Sequence, residues 1–153
     1  MALEIERKYL VTGNGWKQAQ GVHFIQGYLN RDKERTVRVR VEGKKAALTV
    51  KGVNCGATRN EYEYPIPVAD ALELLDICDG PVLEKNRHII VWDGLTWEVD
   101  EFLGVNQGLI IAEVELQSEN QSFQCPEWVG QEVTGDPRYY NSNLCIHPYR
   151  MWR

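Results

Sequence analysis

The sequence predicts a mainly β fold of the α+β type: an eight-stranded antiparallel β-barrel that forms a hydrophilic tunnel, with a few peripheral helices. Three observations predict this fold. Eight segments alternate apolar and polar residues with period two, short turns separate several of them, and their polar positions carry repeated charges. Closing such a sheet into a barrel turns one face inward, so the charged face would line a tunnel.

The eight predicted strands are runs in which β-branched residues are frequent. Gly43-Lys44 and Asp93-Gly94 stand between alternating runs, as hairpin turns do, and residues 30–34 make a longer polar turn. Neighbouring strands are therefore predicted to be mostly antiparallel. The predicted strands cover residues 2–11, 21–29, 35–42, 45–53, 59–66, 82–92, 95–102 and 109–117.

An amphipathic helix interrupts the strands at residues 68–78, where the apolar residues recur with helical spacing. Asp79-Gly80-Pro81 ends it. We expect this helix to cover Trp92 and Trp97, which fall on the apolar face of their strands. After the eighth strand the periodicity is lost, and only a short helix over residues 138–145 is predicted.

Length and composition are those of one domain spanning residues 1–153, without an internal linker or repeat. The chain has 22 acidic and 17 basic residues and a net charge of -5, which argues against nucleic acid as a partner. The four scattered cysteines match no zinc or redox motif. The charged start of the chain and its short apolar runs predict a cytoplasmic protein that does not use the membrane as a partner.

The charges on the strands are the most informative feature, because residues i and i+2 of a strand project from the same face. Carboxylates and cations segregate by strand, whereas a face that serves only solubility would mix them. Paired carboxylates without His or Cys suit Mg²⁺ or Mn²⁺, and rows of Arg and Lys suit phosphoryl oxygens. The tunnel is therefore predicted to bind a metal-bound polyphosphate. Its carboxylates are Glu4, Glu6, Glu61, Glu63, Glu98, Asp100, Glu113 and Glu115, and its cations are Lys8, Arg38, Arg40, Lys51, Lys85 and Arg87.

These eight acidic and six basic side chains give the tunnel a net charge of -2. Two divalent ions would reverse that sign and make the tunnel attractive to a polyanion. The composition therefore predicts metal dependence. His23, His88 and His147 have no metal-ligand spacing and are not assigned to the site, and His88 is expected on the opposite face of its strand.

The ordered motifs resemble the CYTH superfamily, also called triphosphate tunnel metalloenzymes. Glu4-Ile5-Glu6-Arg7-Lys8 is similar to that family's Glu-x-Glu-x-Lys signature, and the resemblance extends to about residue 117. Tyr140-Asn141 is also similar. The further matching motifs are Arg38-Val39-Arg40, Thr49-Val50-Lys51-Gly52, Glu61-Tyr62-Glu63, Glu84-Lys85-Asn86-Arg87, Trp97-Glu98-Val99-Asp100 and Glu113-Val114-Glu115.

The resemblance is greatest to short bacterial inorganic triphosphatases, which implies metal-dependent hydrolysis of tripolyphosphate to pyrophosphate and phosphate. The alternatives within the fold are a nucleoside or thiamine triphosphatase or an adenylate cyclase. An alternative of another class is a non-catalytic module that binds polyphosphate or nucleotide. The partner is then a small-molecule triphosphate, and the resemblance also allows a homodimer.

Roles for the site residues follow as hypotheses. Lys8 is predicted to be catalytic, and Tyr28 resembles a tyrosine that such enzymes pair with the signature lysine. The five other cations, Arg38, Arg40, Lys51, Lys85 and Arg87, would hold the phosphate chain. A first Mg²⁺ or Mn²⁺ would bind Glu4, Glu6, Glu113 and Glu115, and a second would bind Glu63 and Asp100. Glu61 and Glu98 would line the tunnel without an assigned role.

Overall fold

A closed antiparallel barrel dominates the computed structural model, which describes residues 3–152. Within that range the sheet has nine strands in the order β5-β4-β3-β2-β6-β7-β8-β1-β9, and β5 also pairs with β1. Strands β1 to β8 therefore close into a ring, which confirms the predicted eight-stranded barrel. The strands are β1 (Leu3–Val11), β2 (Gly21–Asn30), β3 (Thr36–Glu42), β4 (Lys45–Lys51), β5 (Thr58–Ile66), β6 (Leu83–Trp92), β7 (Leu95–Phe102), β8 (Ile110–Glu115) and β9 (Val129–Glu132).

The two predicted hairpin turns have the backbone that their residues favour. Asp93 and Gly94 both have positive φ, at 51° and 77°, as in the turn that best matches the twist of antiparallel strands. Gly43 likewise has a φ of 57°. These turns fix the register of β3 on β4 and of β6 on β7, so that Arg38 lies opposite Thr49 and Arg87 opposite Asp100.

The outer face of the barrel is apolar and is covered in two different ways. Helix α1 (Val68–Asp76) packs on strands β2, β3 and β4, where Ala71 meets a buried cluster that includes Val39 and Val41. The expectation that this helix covers Trp92 and Trp97 is therefore wrong, because both tryptophans belong to a different apolar cluster. Alternation placed the tryptophans on the outer face correctly but carried no information about which segment packs there.

The cover over Trp97 comes from both ends of the chain. Trp97 is fully buried, and its ring packs against Tyr9, Phe123 and Trp128 at centroid distances of 5.7 to 6.1 Å. Trp16, in a 3-10 turn after β1, belongs to the same cluster and contacts His88 from outside the barrel. His88 thus lies on the outer face, as the sequence predicts.

The C-terminal part of the chain wraps the barrel beside β1. Strand β9 pairs antiparallel with the end of β1 at Tyr9 and Val11. The irregular sequence after residue 117 did not predict this strand. The predicted helix over residues 138–145 is shorter, with a 3-10 turn at 137–139 followed by α2 (Asn141–Leu144). Ends of predicted strands differ from the observed ones by one or two residues. Residue 2 of the first predicted strand lies outside the described residues.

Helices long and apolar enough to cross a membrane are absent from the described part of the chain.

Candidate active site

Strand order sorts the charges of the tunnel into two halves. Strands β4, β3, β2 and β6 are consecutive neighbours, and they carry the predicted cations apart from Lys8. We call these four strands the cationic half. Strands β7, β8, β1 and β5 form the remaining wall and carry all eight predicted carboxylates, and they are the acidic half. The tunnel therefore presents a basic wall opposite an acidic one.

A cavity of about 310 Å³ lies between these walls. Every predicted site residue lines it except Lys85 and Asp100, while Glu42 and Arg59 line it without having been predicted. Its charged lining again consists of eight acidic and six basic side chains, so the predicted balance of -2 holds with two members exchanged. The charged lining residues are Glu4, Glu6, Lys8, Arg38, Arg40, Glu42, Lys51, Arg59, Glu61, Glu63, Arg87, Glu98, Glu113 and Glu115.

Lys85 and Asp100 form a buried ion pair within the wall. The Lys85 Nζ lies 2.7 Å from one Asp100 oxygen, and Arg87 donates to both oxygens at 2.8 and 2.9 Å. Burial raises the pKa of Asp100, but Arg87 and Lys85 outweigh it and hold the pKa far below its ordinary value. Both oxygens of Asp100 are engaged by cations. In this conformation Asp100 therefore supports Lys85 and Arg87, and its role as a metal ligand stays a prediction.

Arg40 is a cation of the cavity that has no carboxylate partner among the described residues. Its Nε donates to the Gln26 side chain at 3.1 Å and its guanidinium lies 4.9 Å from the centre of the Phe24 ring. Within residues 3–152 it forms no ion pair with a carboxylate, unlike Arg38, which lies 3.5 Å from Glu63. Burial, followed by repulsion from other arginines of the cationic half, lowers the pKa of Arg40 to about 9. It remains charged at neutral pH and can receive phosphoryl oxygens.

The acidic half shows the opposite imbalance. Burial raises the pKa of Glu4 to about 7, with a further contribution from its hydrogen bond with Glu61, although Lys51 opposes the shift. Burial also raises the pKa of Glu6 well above its ordinary value, and the neighbouring carboxylate of Glu113 adds to the effect. Lys51 is shared, with its Nζ 3.3 Å from Glu4 and 3.4 Å from Glu61. The carboxylates of the acidic half thus outnumber the cations that pair with them.

Register places like charges directly opposite each other in the acidic half. Glu6 lies opposite Glu115 across β1 and β8, and Glu98 lies opposite Glu113 across β7 and β8. Such pairs are destabilising unless a cation neutralises them. Carboxylate oxygens are ligands that hard divalent ions prefer, so the ligand type of this wall suits such an ion. In the present conformation no group of three acidic, His or Cys side chains within residues 3–152 is close enough to hold one.

Lys8 is the cation that stands within the acidic half. Its Nζ lies 3.7 Å from Glu113 and 5.6 Å from the centre of the Tyr140 ring. Burial lowers the pKa of Lys8, but Glu113 and Glu6 overcome that effect and the pKa is raised. Tyr28, the predicted partner of Lys8, is buried and close enough to contribute to this shift. The ammonium of Lys8 therefore faces carboxylates and two tyrosines.

The C-terminal segment fixes the position of Lys8 and closes the cavity beside it. Thr134 accepts a hydrogen bond from the Lys8 backbone N–H at 2.9 Å. The Tyr140 hydroxyl accepts from Asn54 at 3.1 Å, which ties this segment to the loop between β4 and β5. Asn141 lies 3.4 Å from the Lys85 Nζ. Residues 134–142 thus contact two of the three predicted lysines, Lys8 and Lys85.

Sequence reasoning missed several residues of the inner wall for which a signal existed: Glu42, which shares the parity of Arg40 on β3, and three others. Phe24 and Gln26 share the parity of Tyr28 on β2, and Arg59 shares the parity of Glu61 on β5. The search for repeated charges passed over two uncharged residues and an isolated arginine. Applying strict alternation to each strand from one placed residue would have found all four.

A closed eight-stranded tunnel with opposed basic and acidic walls defines a class of β-barrel that holds a polyanion together with cations. The chain belongs to the CYTH family, because its residues 2–140 match the CYTH domain. This confirms the resemblance in the sequence.

Two relatives and one solved structure resemble the chain over nearly its whole length. An inorganic triphosphatase of Acetivibrio thermocellus is 54% identical, covering 100% of this chain and 99% of the relative. An inorganic triphosphatase of Nitrosomonas europaea is 37% identical, covering 94% and 97%. The crystal structure of an inorganic triphosphatase superimposes with a TM-score of 0.69 at 35% identity, covering 95% of this chain and 96% of that one.

Proposed function

We propose that this protein is a divalent-metal-dependent inorganic triphosphatase that hydrolyses tripolyphosphate to pyrophosphate and phosphate. The observation that carries the proposal is the sorting of charge by strand order, with cations on β4, β3, β2 and β6 and carboxylates on the other four strands. A metal-bound polyphosphate matches both walls at once, since its oxygens need cations and its metal needs carboxylates.

The cationic half binds the phosphate chain. Arg40 has no carboxylate to satisfy it within the described residues, and Arg38 and Lys51 line the same cavity. Arg87 reaches the cavity while Asp100 holds its guanidinium in place. Guanidinium groups donate in pairs to phosphoryl oxygens, so this wall fixes both the position and the direction of the chain.

The acidic half would hold Mg²⁺ or Mn²⁺ through Glu4, Glu6, Glu113 and Glu115. The opposed carboxylates support this assignment, and so do the raised pKa values of Glu4 and Glu6, which burial causes first and neighbouring carboxylates increase. When bound, a divalent ion would neutralise charge on the phosphoryl oxygens and lower the pKa of a water molecule.

The reaction needs no covalent nucleophile from the protein. The oxygen of water forms a bond to the terminal phosphorus and releases a proton to solvent, the bridging P–O bond breaks, and pyrophosphate leaves with the electron pair and can take up a proton from solvent. Lys8, held by Glu113 and flanked by Tyr28 and Tyr140, places positive charge where the terminal phosphoryl group meets the acidic half. Positioning and charge stabilisation carry such a displacement.

Two relatives at 54% and 37% identity are named inorganic triphosphatases, and each aligns with nearly all of this chain. Full-length similarity of this extent supports a shared substrate class. A site for a nucleobase or thiamine ring would need an apolar recess beside the phosphate clamp. The charged cavity is adjoined by an apolar recess of about 580 Å³, which shares Arg40, Glu42 and Glu63 with it, so the preference for an inorganic chain rests on the relatives and not on the lining.

Phosphate release from tripolyphosphate, ATP and thiamine triphosphate, each with Mg²⁺, with Mn²⁺ and without metal, tests the proposal. We expect release to be fastest from tripolyphosphate and to require metal. Arg40→Gln should lower kcat/KM about 100-fold, since it removes a charge-assisted contact from a buried site. The matched control is Arg35→Gln, because Arg35 is exposed and lies outside the cavity. Tight binding of all three compounds with turnover of none would show a binding module instead.

A further inference from the structure

Phe24 is a buried aromatic residue that lies on the inner face of the barrel and not in an apolar core. It stands on β2 with its side chain lining the charged cavity, and it is only 2% exposed. Of the three apolar clusters formed by the described residues, none includes it. Its burial is therefore not explained by packing on the outer face of the barrel.

The ring of Phe24 is surrounded by cations instead. The guanidinium carbons of Arg40 and Arg87 lie 4.9 and 4.8 Å from the ring centre, and the Lys85 Nζ lies at 5.7 Å. These distances are those of cation–π contacts, in which the negative face of the ring attracts a positive charge. Buried contacts of this kind are stronger than exposed ones because water does not compete.

Topology explains how one ring reaches cations from two strands. Strand β2 has β3 on one side and β6 on the other, so Arg40 and Arg87 approach Phe24 from opposite flanks. Phe24 lies directly opposite Lys85 in the register of β2 on β6. The ring thus occupies the middle of the cationic half.

Arg40, Lys85 and Arg87 repel one another, so each side chain needs a contact that holds it beside the ring. Carboxylates hold Arg87 and Lys85, but Arg40 has only the Gln26 amide and the ring. The acidic half lies across a narrow cavity and would attract a freely rotating guanidinium. An anionic side chain at position 24 would hold the cations but would also neutralise the positive charge that binds the substrate. An aromatic ring attracts cations without neutralising them.

We propose that Phe24 is a positioning residue that holds Arg40 on the cationic half, beside the Arg87 that Asp100 anchors, with the charge of Arg40 still available to a phosphate chain. The inference rests on the proposed triphosphatase function and adds a specific requirement to it. Loss of the ring's negative face should weaken substrate binding because Arg40 can then turn toward the carboxylates of the acidic half. The chemistry of the reacting phosphoryl group, which involves Lys8 and the acidic half, should change little.

The test replaces Phe24 with phenylalanines that carry one, two or three fluorine atoms, by site-specific incorporation. Fluorine withdraws electron density from the ring face and so weakens cation–π contacts, with little change in volume. We expect the KM for tripolyphosphate to rise stepwise with fluorination, to about tenfold for the trifluoro ring, while kcat stays within about twofold. The same residues placed at Phe123, whose ring packs on Trp97 outside the tunnel, are the matched control and should leave KM unchanged.

Phe24→Tyr and Phe24→Leu provide a second series from natural residues. The tyrosine variant keeps a ring and should retain KM within about threefold, whereas the leucine variant should resemble the trifluoro ring. A flat fluorination series, or leucine equal to tyrosine in KM with only the melting temperature lowered, would show that Phe24 merely fills space. If the wild-type protein binds but does not hydrolyse tripolyphosphate, the triphosphatase function fails, and the same series read as Kd by calorimetry still decides the role of Phe24.

Discussion

Glu4 links the protonation of the tunnel to the stability of the protein. Burial, supported by the hydrogen bond with Glu61, raises its pKa from an ordinary 4.5 to about 7. The folded protein therefore binds a proton at Glu4 more tightly than the unfolded chain does. Stability from this group is present at low pH, is lost as the pH rises from about 4.5 to 7, and stays lost above 7.

The size of the effect follows from the two pKa values. At 1.36 kcal/mol per pKa unit, ionising Glu4 costs the metal-free protein about 3 kcal/mol at pH 8 and less than about 1 kcal/mol at pH 5. Glu4→Gln mimics the protonated side chain and removes this cost. With about 2–4 °C per kcal/mol for a chain of this size, the variant should melt about 6–12 °C above wild type at pH 8.

Thermal unfolding followed by circular dichroism, in EDTA at pH 5 and pH 8, measures the difference. Comparing the two proteins at each pH cancels the contributions of the other titrating groups. Mg²⁺ should then raise the melting temperature of wild type more at pH 8 than at pH 5, because the ion competes with the proton, and should raise that of Glu4→Gln less. Equal melting temperatures of the two metal-free proteins at pH 8 would show that ionised Glu4 does not destabilise the folded protein.

Two further predictions concern the support of the site. Asp100→Asn should destabilise the protein by about 3–5 kcal/mol, because it leaves Lys85 and Arg87 buried without their carboxylate, and adding Lys85→Met should recover part of the loss in a urea melt. A single variant as stable as wild type would contradict the buried ion pair. Tyr140→Leu should lower kcat/KM about two- to fivefold, because it removes the ring beside Lys8, whereas Tyr140→Phe keeps that ring and should stay near wild type. Equal kinetics for the two Tyr140 variants would show that the ring contact is unimportant.

Alternation in the sequence predicts which face of a strand a residue occupies, and the barrel and most of its charged interior follow from that. It does not predict depth along the tunnel. Lys85 and Asp100 share the inner face with Arg87 and Glu98, yet the first two are sealed within the wall while the others reach the cavity. Depth depends on barrel stagger and on what packs at each end, which no single strand encodes.

Segments without periodicity were equally beyond prediction. Strand β9 has four residues. It forms because the backbone of β1 beside Tyr9 and Val11 lies beyond the end of the pairing with β5 and can accept another strand. The cover of Trp97 by Phe123 and Trp128 likewise depends on contacts between distant parts of the chain. Both features are decided by tertiary packing, for which local pattern holds no signal.

The pairing of β1 with β8 also sets an order of events during synthesis of the protein. Glu6 lies opposite Glu115, and Lys8 opposite Glu113, across more than a hundred residues of intervening chain. Strands β2 to β7 of a nascent chain can pair among themselves, but β1 lacks its β8 partner until about three quarters of the chain have been made. The carboxylates of the two strands therefore converge only at that final step. A partly synthesised chain can thus assemble its cations with β5 and β7 beside them, and it gains the paired carboxylates of β1 and β8 only when the barrel closes.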